Sequence, residues 1–507
     1  MFQPSGQVGS QAILSWGVYM KKKSLIYFVL AAVLPLGSCS GLKNGGCTTN
    51  CGGGNATLSI SLYDTAPTGM DLLSFTLPIA GISLTPSSGS QVSITPTVTS
   101  VETTRLQTDS VLLVDAVSVA AGSYTKLNVT LGPTTATSGV FVNTSGSTIT
   151  WTTGSGGSCA NGAVCFLPAG VVFTVPVALS LNLSASQDQW VGLNLNLNNA
   201  ITTAGGLSVD FSQANVLTAI TSPRTGIPAN GVDTIEDFIG AVTAYSAGSS
   251  ITVQSTISGQ KITAALNANT EYDTPTSPNT NYSGCSASPS CLKVGSTVSL
   301  DAVLSVNGTL TASEVDVLDV TAADEVEGVI YPTATAGVYG LILSDKISAS
   351  GNAVLGASTT TYGTPIFLTV TNANTFVDTK TLSSVLSNPV GFANTSSLLA
   401  GQVVRAQVKN VTSTNNGITA TATNLLLRFS RLSGTVSSVA GTVFYLTPPS
   451  YVSTFDAGLV PPLTSYTYTT TAFDGATSVT AGATASIRAL FLNSTQPTFA
   501  VAKVRVP

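Results

Sequence analysis

The chain has 507 residues, of which only 8% are charged, with a formal net charge of −5, seven cysteines and no histidine. A pI near 4.7 and the lack of any basic run beyond Lys21-Lys22-Lys23 exclude a nucleic-acid surface, whose phosphate contacts need clustered Lys or Arg. The missing imidazole removes Ser-His-Asp and Cys-His catalysis and most metal sites. Abundant Gly, Ser, Thr, Asn and Val, with little helical spacing of Leu, Glu, Lys or Ala, give an all-β expectation. An apolar fraction of 43% at this low charge is enough to fold, and the length exceeds one ordinary core.

Residues 1–19 carry no targeting logic, so Met20 is the expected start, with the preceding residues untranslated or processed away. Met20-Lys21-Lys22-Lys23 and the apolar Leu25–Leu36 stretch have the basic and hydrophobic regions of a secretory signal. That stretch is too short for a bilayer, which needs about 20 apolar residues. The end of the signal, Leu36-Gly37-Ser38-Cys39, resembles the lipobox of bacterial lipoproteins. The resemblance implies a signal peptide over 20–38, lipidation of Cys39, and a chain held on a membrane by its acyl groups. Ser40, where a retention aspartate would stand, implies the outer membrane or cell surface. Six cysteines remain as close pairs, Cys47/Cys51, Cys159/Cys165 and Cys285/Cys291, which in an exported chain read as small disulfide loops. A thiolate metal site would need two pairs to converge without histidine.

Residues 39–55 read as a flexible Gly/Asn/Thr tether. Strands begin at Ala56-Thr57-Leu58-Ser59-Ile60-Ser61-Leu62 and recur at Ser110–Val119, Lys126–Leu131, Val171–Leu183 and Trp190–Leu197, several alternating with one wet face. With the Gly122-Ser123-Tyr124-Thr125 turn, residues 56–222 resemble a β-sandwich domain of unknown function found at the N-terminus of bacterial envelope lipoproteins. The Gly/Ser insertion around Thr152–Val164 departs from it.

From Asp233 the chain repeats. Gly240, Gly328 and Gly434 open three units. Thr270-Glu271-Tyr272-Asp273, Thr375-Phe376-Val377-Asp378 and Thr471-Ala472-Phe473-Asp474 follow in order, then turns at Gly295, Gly401 and Gly482. The recurring glycines are expected at turns needing positive φ. The pattern resembles a small β-barrel module of unknown function, oligonucleotide/oligosaccharide-binding-like in shape, most closely in the first copy. The expected repeats span 233–322, 323–429 and 430–507, strung as beads after the sandwich.

Chemistry is sparse. There is no nucleophile elbow, Walker loop or dinucleotide fingerprint. Asp64, Asp71, Asp115, Asp188 and Asp210 could serve a glycosidase only as a pair, and no spacing pairs them, so solvated turns and strand edges are their expected places. Glu314, Asp316, Asp319, Asp324, Glu325 and Glu327 form the densest charge cluster. Glu314, Asp316, Asp319 and Asp324 are the expected ligands if Ca²⁺ is held. The cluster lacks EF-hand spacing, and acids alternating on a strand ordinarily mark its wet face. Trp151, Trp190, Tyr245, Tyr272, Tyr331, Tyr339, Tyr466 and Tyr468 serve either as core or as a sugar-stacking platform. The expected function is a non-enzymatic, membrane-tethered envelope lipoprotein acting as a structural, adhesion or assembly module, its partner an envelope protein. The alternative is carbohydrate binding for a polysaccharide system.

Overall fold

The computed structural model describes residues 54–66, 71–135, 139–142, 150–155, 163–167, 169–202, 208–255, 258–273, 292–319, 323–361, 363–382, 384–386, 392–414, 417–447, 462–492 and 498–506. Cys39, Cys47, Cys51, Cys159, Cys285 and Cys291 lie outside these residues, as do the signal and most of the tether, and for Cys165 only the backbone is described.

The all-β expectation holds, with a sandwich followed by three barrels. One sandwich sheet orders Leu217–Ile220, Asp188–Asn196, Asn55–Thr65 and Val111–Ala120. The facing sheet is built on Phe173–Leu183, Gly122–Leu131 and the long strand Asp71–Pro86. Period-two patterning explains the second sheet's edge: Val175, Val177, Leu179, Leu181 and Leu183 point inward while their neighbours face solvent. Pro176, which has no N–H to donate, is tolerated because Phe173–Leu183 is the edge strand. Tyr124 of the Gly-Ser-Tyr-Thr turn is buried, and its hydroxyl donates to the Ala120 carbonyl at 2.7 Å. Asp188–Asn196 differs from its alternating expectation. Trp190, Val191, Gly192 and Leu193 are all buried, because the first barrel covers the strand's outer face and takes Trp190 and Leu112 into its own apolar cluster.

Each barrel is a five-stranded ring with one connectivity. The first has Asp233–Ser246, Ser250–Ser255, Lys261–Ala265, Thr297–Leu304 and Leu310–Asp319; the second has Glu325–Pro332, Val338–Ile347, Pro365–Thr369, Val403–Thr414 and Gly417–Arg428. The third has Ser430–Ala440, Val443–Thr447, Leu463–Asp474, Thr484–Leu492 and Thr498–Arg505. In each, the first strand pairs with the second and fourth, and the ring closes through parallel pairing of third and fifth. This is the small Greek-key barrel the repeat pattern implied.

The landmark glycines have their expected backbone role. Gly295, Gly401 and Gly482 have φ of +92°, +89° and +84°. Each donates its N–H to the equivalent first-strand carbonyl, of Val242, Ile330 and Val436 respectively, at 2.8–2.9 Å. Gly240 and Gly328 are required for another reason. A Cβ there would lie 2.2 Å from the Gln254 carbonyl oxygen and 1.9 Å from that of Ile342, because the second strand crosses closely.

The beads expectation fails. Residues 52–507 form one compact unit. Leu490, Leu492, Ala500 and Ala502 of the third barrel belong to the second barrel's core cluster, and Ile239 and Leu318 of the first pack on Leu426 of the second. Each large aliphatic side chain so buried contributes about 1.5–3 kcal/mol, so barrels sharing such contacts do not swing freely.

Candidate functional site

Where the four modules meet, the chain buries charge. One sandwich segment, around the short 3₁₀ turn Thr103–Gln107, reaches all three barrels. Glu102 fixes the turn by accepting from the Phe75 N–H at 2.7 Å and the Thr104 hydroxyl at 2.9 Å. Arg105 then pairs with Glu327 of the second barrel at 3.0 Å. Ser433 of the third barrel donates to Gln107 at 2.9 Å, and Arg505 donates to the carbonyls of Leu106 and Asp109 at 3.0 and 2.8 Å. Ser110 donates to Asp233 of the first barrel at 3.0 Å.

Asp237 is the centre of the junction. Its carboxylate meets Arg431 at 2.6 Å and Arg488 at 3.1 Å from the third barrel, and Lys380 at 2.7 Å and Arg428 at 3.4 Å from the second. Burial opposes its ionisation, but Lys380, Arg488, Arg431 and Arg428 outweigh burial and hold it well below the usual carboxylate range. Lys380 is fully buried, and its ammonium touches Asp237, Asp301 and Asp316 at 2.7, 2.9 and 2.9 Å. Both residues have positive φ, 50° for Asp237 and 42° for Lys380, a costly backbone state retained where the ion pair forms.

Further pairs extend the junction outward. Arg405 binds Glu325, Glu327 and Asp345 at 2.5, 2.9 and 3.0 Å, and Arg428 pairs with Asp378. Lys503 holds Glu236 at 2.8 Å. Asp474 takes Arg224 at 2.6 Å and Arg505 at 2.7 Å, while the Arg224 guanidinium lies 4.2 Å from the Tyr63 ring centre. Half of the chain's 18 Lys and Arg residues are thus spent on internal pairs. Three acids of the junction stand apart electrostatically, Asp316 among them, raised by burial against the pull of Lys380. Burial raises Asp109 to about 6 against the pull of Arg431, and raises Glu325 to about 7 against Arg405, with Asp319 adding to the rise.

Paired carboxylates and guanidiniums of this kind neutralise one another and hold surfaces together. Desolvating them offsets much of the Coulomb gain, so their net worth lies in which partners they admit, while removing one member leaves a buried charge uncompensated.

The acidic cluster read from sequence is therefore placed differently from its wet-face expectation: Glu314, Asp316, Asp319, Asp324, Glu325 and Glu327 are all buried. Docking against neighbouring barrels covers what would be an exposed strand face. Asp316 meets Lys380; Glu314 stands across from Asp301 in the strand pair; Asp319 accepts from the Ala323 N–H at 3.0 Å; Asp324 caps Ser350 at 2.9 Å. Among the described residues no group of three or more Asp, Glu, Cys or His is arranged to hold a metal ion. Asp64 is likewise buried in the sandwich, where desolvation pushes its carboxyl well above its usual value, whereas Asp115 and Asp188 are exposed as expected. Of the aromatics, Trp190, Tyr272 and Tyr331 are buried and Tyr245, Tyr339 and Tyr468 half-buried; Tyr466 is 38% exposed. The side chain of Trp151 lies outside the described residues.

Sequence reading missed Asp109, Asp237, Lys380, Arg428, Arg431 and Arg488. Isolated charges gave no local motif; for Asp237, Arg431 and Arg488 the available signal was their spacing from Gly240, Gly434 and Gly482, and Asp109, Lys380 and Arg428 carried none.

Residues 239–316, most of the first barrel, match a family model described as Domain of unknown function (DUF5666). This meets the expectation that the first copy is most like a small β-barrel module of unknown function. No curated protein matches the chain. Among solved structures, drosophila Unr CSD456 is similar over 53% of this chain and 96% of its own, at 10% identity and a TM-score of 0.12, a likeness too slight to carry argument. The chain is an all-β multidomain protein with small barrel repeats, the first of which matches the DUF5666 model over residues 239–316.

Proposed function

We propose that this protein is a non-catalytic lipoprotein of a bacterial cell envelope, anchored through lipid on Cys39, and acts as a rigid structural, adhesion or assembly module presenting its outer β surfaces to an envelope partner. The observation that carries the reading is the junction itself: the ionisable residues that might have lined a reaction site pair with one another at the meeting of four modules. A body locked in this way suits presenting a partner with surfaces of fixed mutual geometry, because little ordering entropy remains to be lost within it when a contact forms. Carbohydrate binding draws less support, since Trp190, Tyr272 and Tyr331 serve the core and Tyr466 alone of the described candidates is well exposed.

The test is expression of the full chain with Cys39 or Cys39→Ser in a bacterial host fed an alkyne-labelled fatty acid. Label on the wild type, lost with release from the membrane fraction in Cys39→Ser, supports the anchor. Equal partitioning without label in both refutes it. A glycan array probed with the soluble mature chain, with and without Ca²⁺, separates the assembly reading from the carbohydrate one: specific binding would overturn the former.

A further inference from the structure

The three barrels can be aligned residue by residue through their own hydrogen bonds. The bonds from Gly295, Gly401 and Gly482 make Val242, Ile330 and Val436 equivalent, and strand register carries the equivalence onward. Five residues before each of these stands Asp237 in the first barrel, Glu325 in the second and Arg431 in the third. On the fourth strands the matching residues are Asp301, Gln407 and Arg488, and their cross-strand partners on the fifth are Glu314, Asn424 and Lys503. Two residues further on are Asp316, Leu426 and Arg505. At these four positions the first barrel is acidic throughout and the third basic throughout, whereas the second carries one acid and three uncharged residues. In a chain only 8% charged, composition does not produce that inversion.

Half of each set meets the other directly, while Lys503 reaches Glu236 beside Asp237, Arg505 holds Asp474 and the sandwich turn, and Asp316 takes Lys380. Arg431 and Arg488 both bind Asp237, and Arg488 lies 3.8 Å from Asp301. We propose that the inverted set is a recognition code: the acidic face of the first barrel is the receptor for the basic face of the third within one chain, and a second copy supplies either face only where that internal contact has been opened. Like faces brought together would bury eight charges of one sign, four from each, so first-on-first and third-on-third docking are rejected. The second barrel, neutral at three of the positions, instead shares an apolar cluster with the third. This inference stands apart from the envelope reading, and its failure would leave that reading untouched.

The repeats supply the test, because the second barrel shows which neutral residues this fold accepts. Chain X carries Arg488→Gln, Lys503→Asn and Arg505→Leu; chain Y carries Asp301→Gln, Glu314→Asn and Asp316→Leu. Each alone should keep its far-UV strand signal, gain radius of gyration, and lose hydrogen-exchange protection in Asp233–Ser246 and Ser430–Ala440. Mixing X with Y should give a species of twice the mass, since X keeps the acidic receptor and Y the basic face, while neither self-associates. A charge-retaining chain, Arg488→Lys, Lys503→Arg and Arg505→Lys, should stay closed. No complex on mixing, or a charge-retaining chain as open as X, overturns the proposal. Should X or Y lose its strand signal, Arg431→Gln and Arg431→Lys decide: opening by Gln alone supports the code, and equal opening by both sinks it.

Discussion

Neutralising Asp237 is the most direct probe of the junction. Asparagine keeps the shape and tolerates the positive φ of 50° at this position, so the substitution removes charge without adding backbone strain. It leaves Arg431, Lys380, Arg488 and Arg428 facing a neutral amide they met as a carboxylate at 2.6, 2.7, 3.1 and 3.4 Å. Breaking a buried pair by removing one partner costs about 3–5 kcal/mol. Four cations sharing one anion argue for the upper end, and the recovered desolvation of the carboxylate for the lower, so about 4 kcal/mol is expected, close to a thousandfold shift in the folding equilibrium. Urea unfolding followed by far-UV circular dichroism measures it, with Asp188→Asn, an exposed side chain at the start of a sandwich strand, as a control expected within about 0.5 kcal/mol. If Asp237→Asn unfolds within about 1 kcal/mol of wild type, the junction does not hold the modules.

Acid titration gives a second check. Burial holds Asp109 at about 6 and Glu325 at about 7 in the folded state, above the ordinary 3.8 and 4.5 of such carboxyls. The folded state therefore holds their protons more tightly, and the stability so contributed is full below about pH 4 and lost as pH rises through 6 and 7. The urea midpoint should fall between pH 5 and 8, and Glu325→Gln should flatten that fall; a midpoint rising over this range would contradict it. Asp237 and Asp474 act oppositely, since their lowered values give stability that disappears only below about pH 4. Sodium chloride from 0.05 to 1 M, concentrations chosen as about 14 to 3 Å in screening length, should leave the melting temperature nearly constant, because buried pairs are poorly screened; a large fall would place the pairs in water. Gly240→Ala should abolish soluble expression, as its Cβ meets the Gln254 carbonyl at 2.2 Å, whereas Gly248→Ala, with open space around it, should cost about 1 kcal/mol from its φ of +66° alone.

The strands and repeats were legible because their signals are local. Val175 to Leu183 alternates in sequence as it does in space, and Gly295, Gly401 and Gly482 mark the turns that need them. The junction was not, because its partners are far apart: Arg105 and Glu327 are separated by 222 residues, Arg431 and Asp109 by 322. A carboxylate on an alternating strand looks the same whether water or another barrel covers it. Glu314 and Asp316 read as a wet face for that reason, and only the docked neighbour tells them from one. Their counter-charges could be recognised by aligning the repeats on their glycines, where Asp237, Glu325 and Arg431 fall at one position.

The bond from Arg505 to the Asp109 carbonyl joins residues 396 apart. A chain emerging from its N-terminus therefore presents the sandwich turn and the acidic barrel long before the strand that completes them. Asp237, Asp301 and Asp316 meet Lys380 of the second barrel first, and Asp237 gains Arg431 and Arg488 only with the third. The counter-charges of the junction are thus supplied in chain order, barrel by barrel, and the strand Thr498–Arg505 adds its bonds to the sandwich turn after the others.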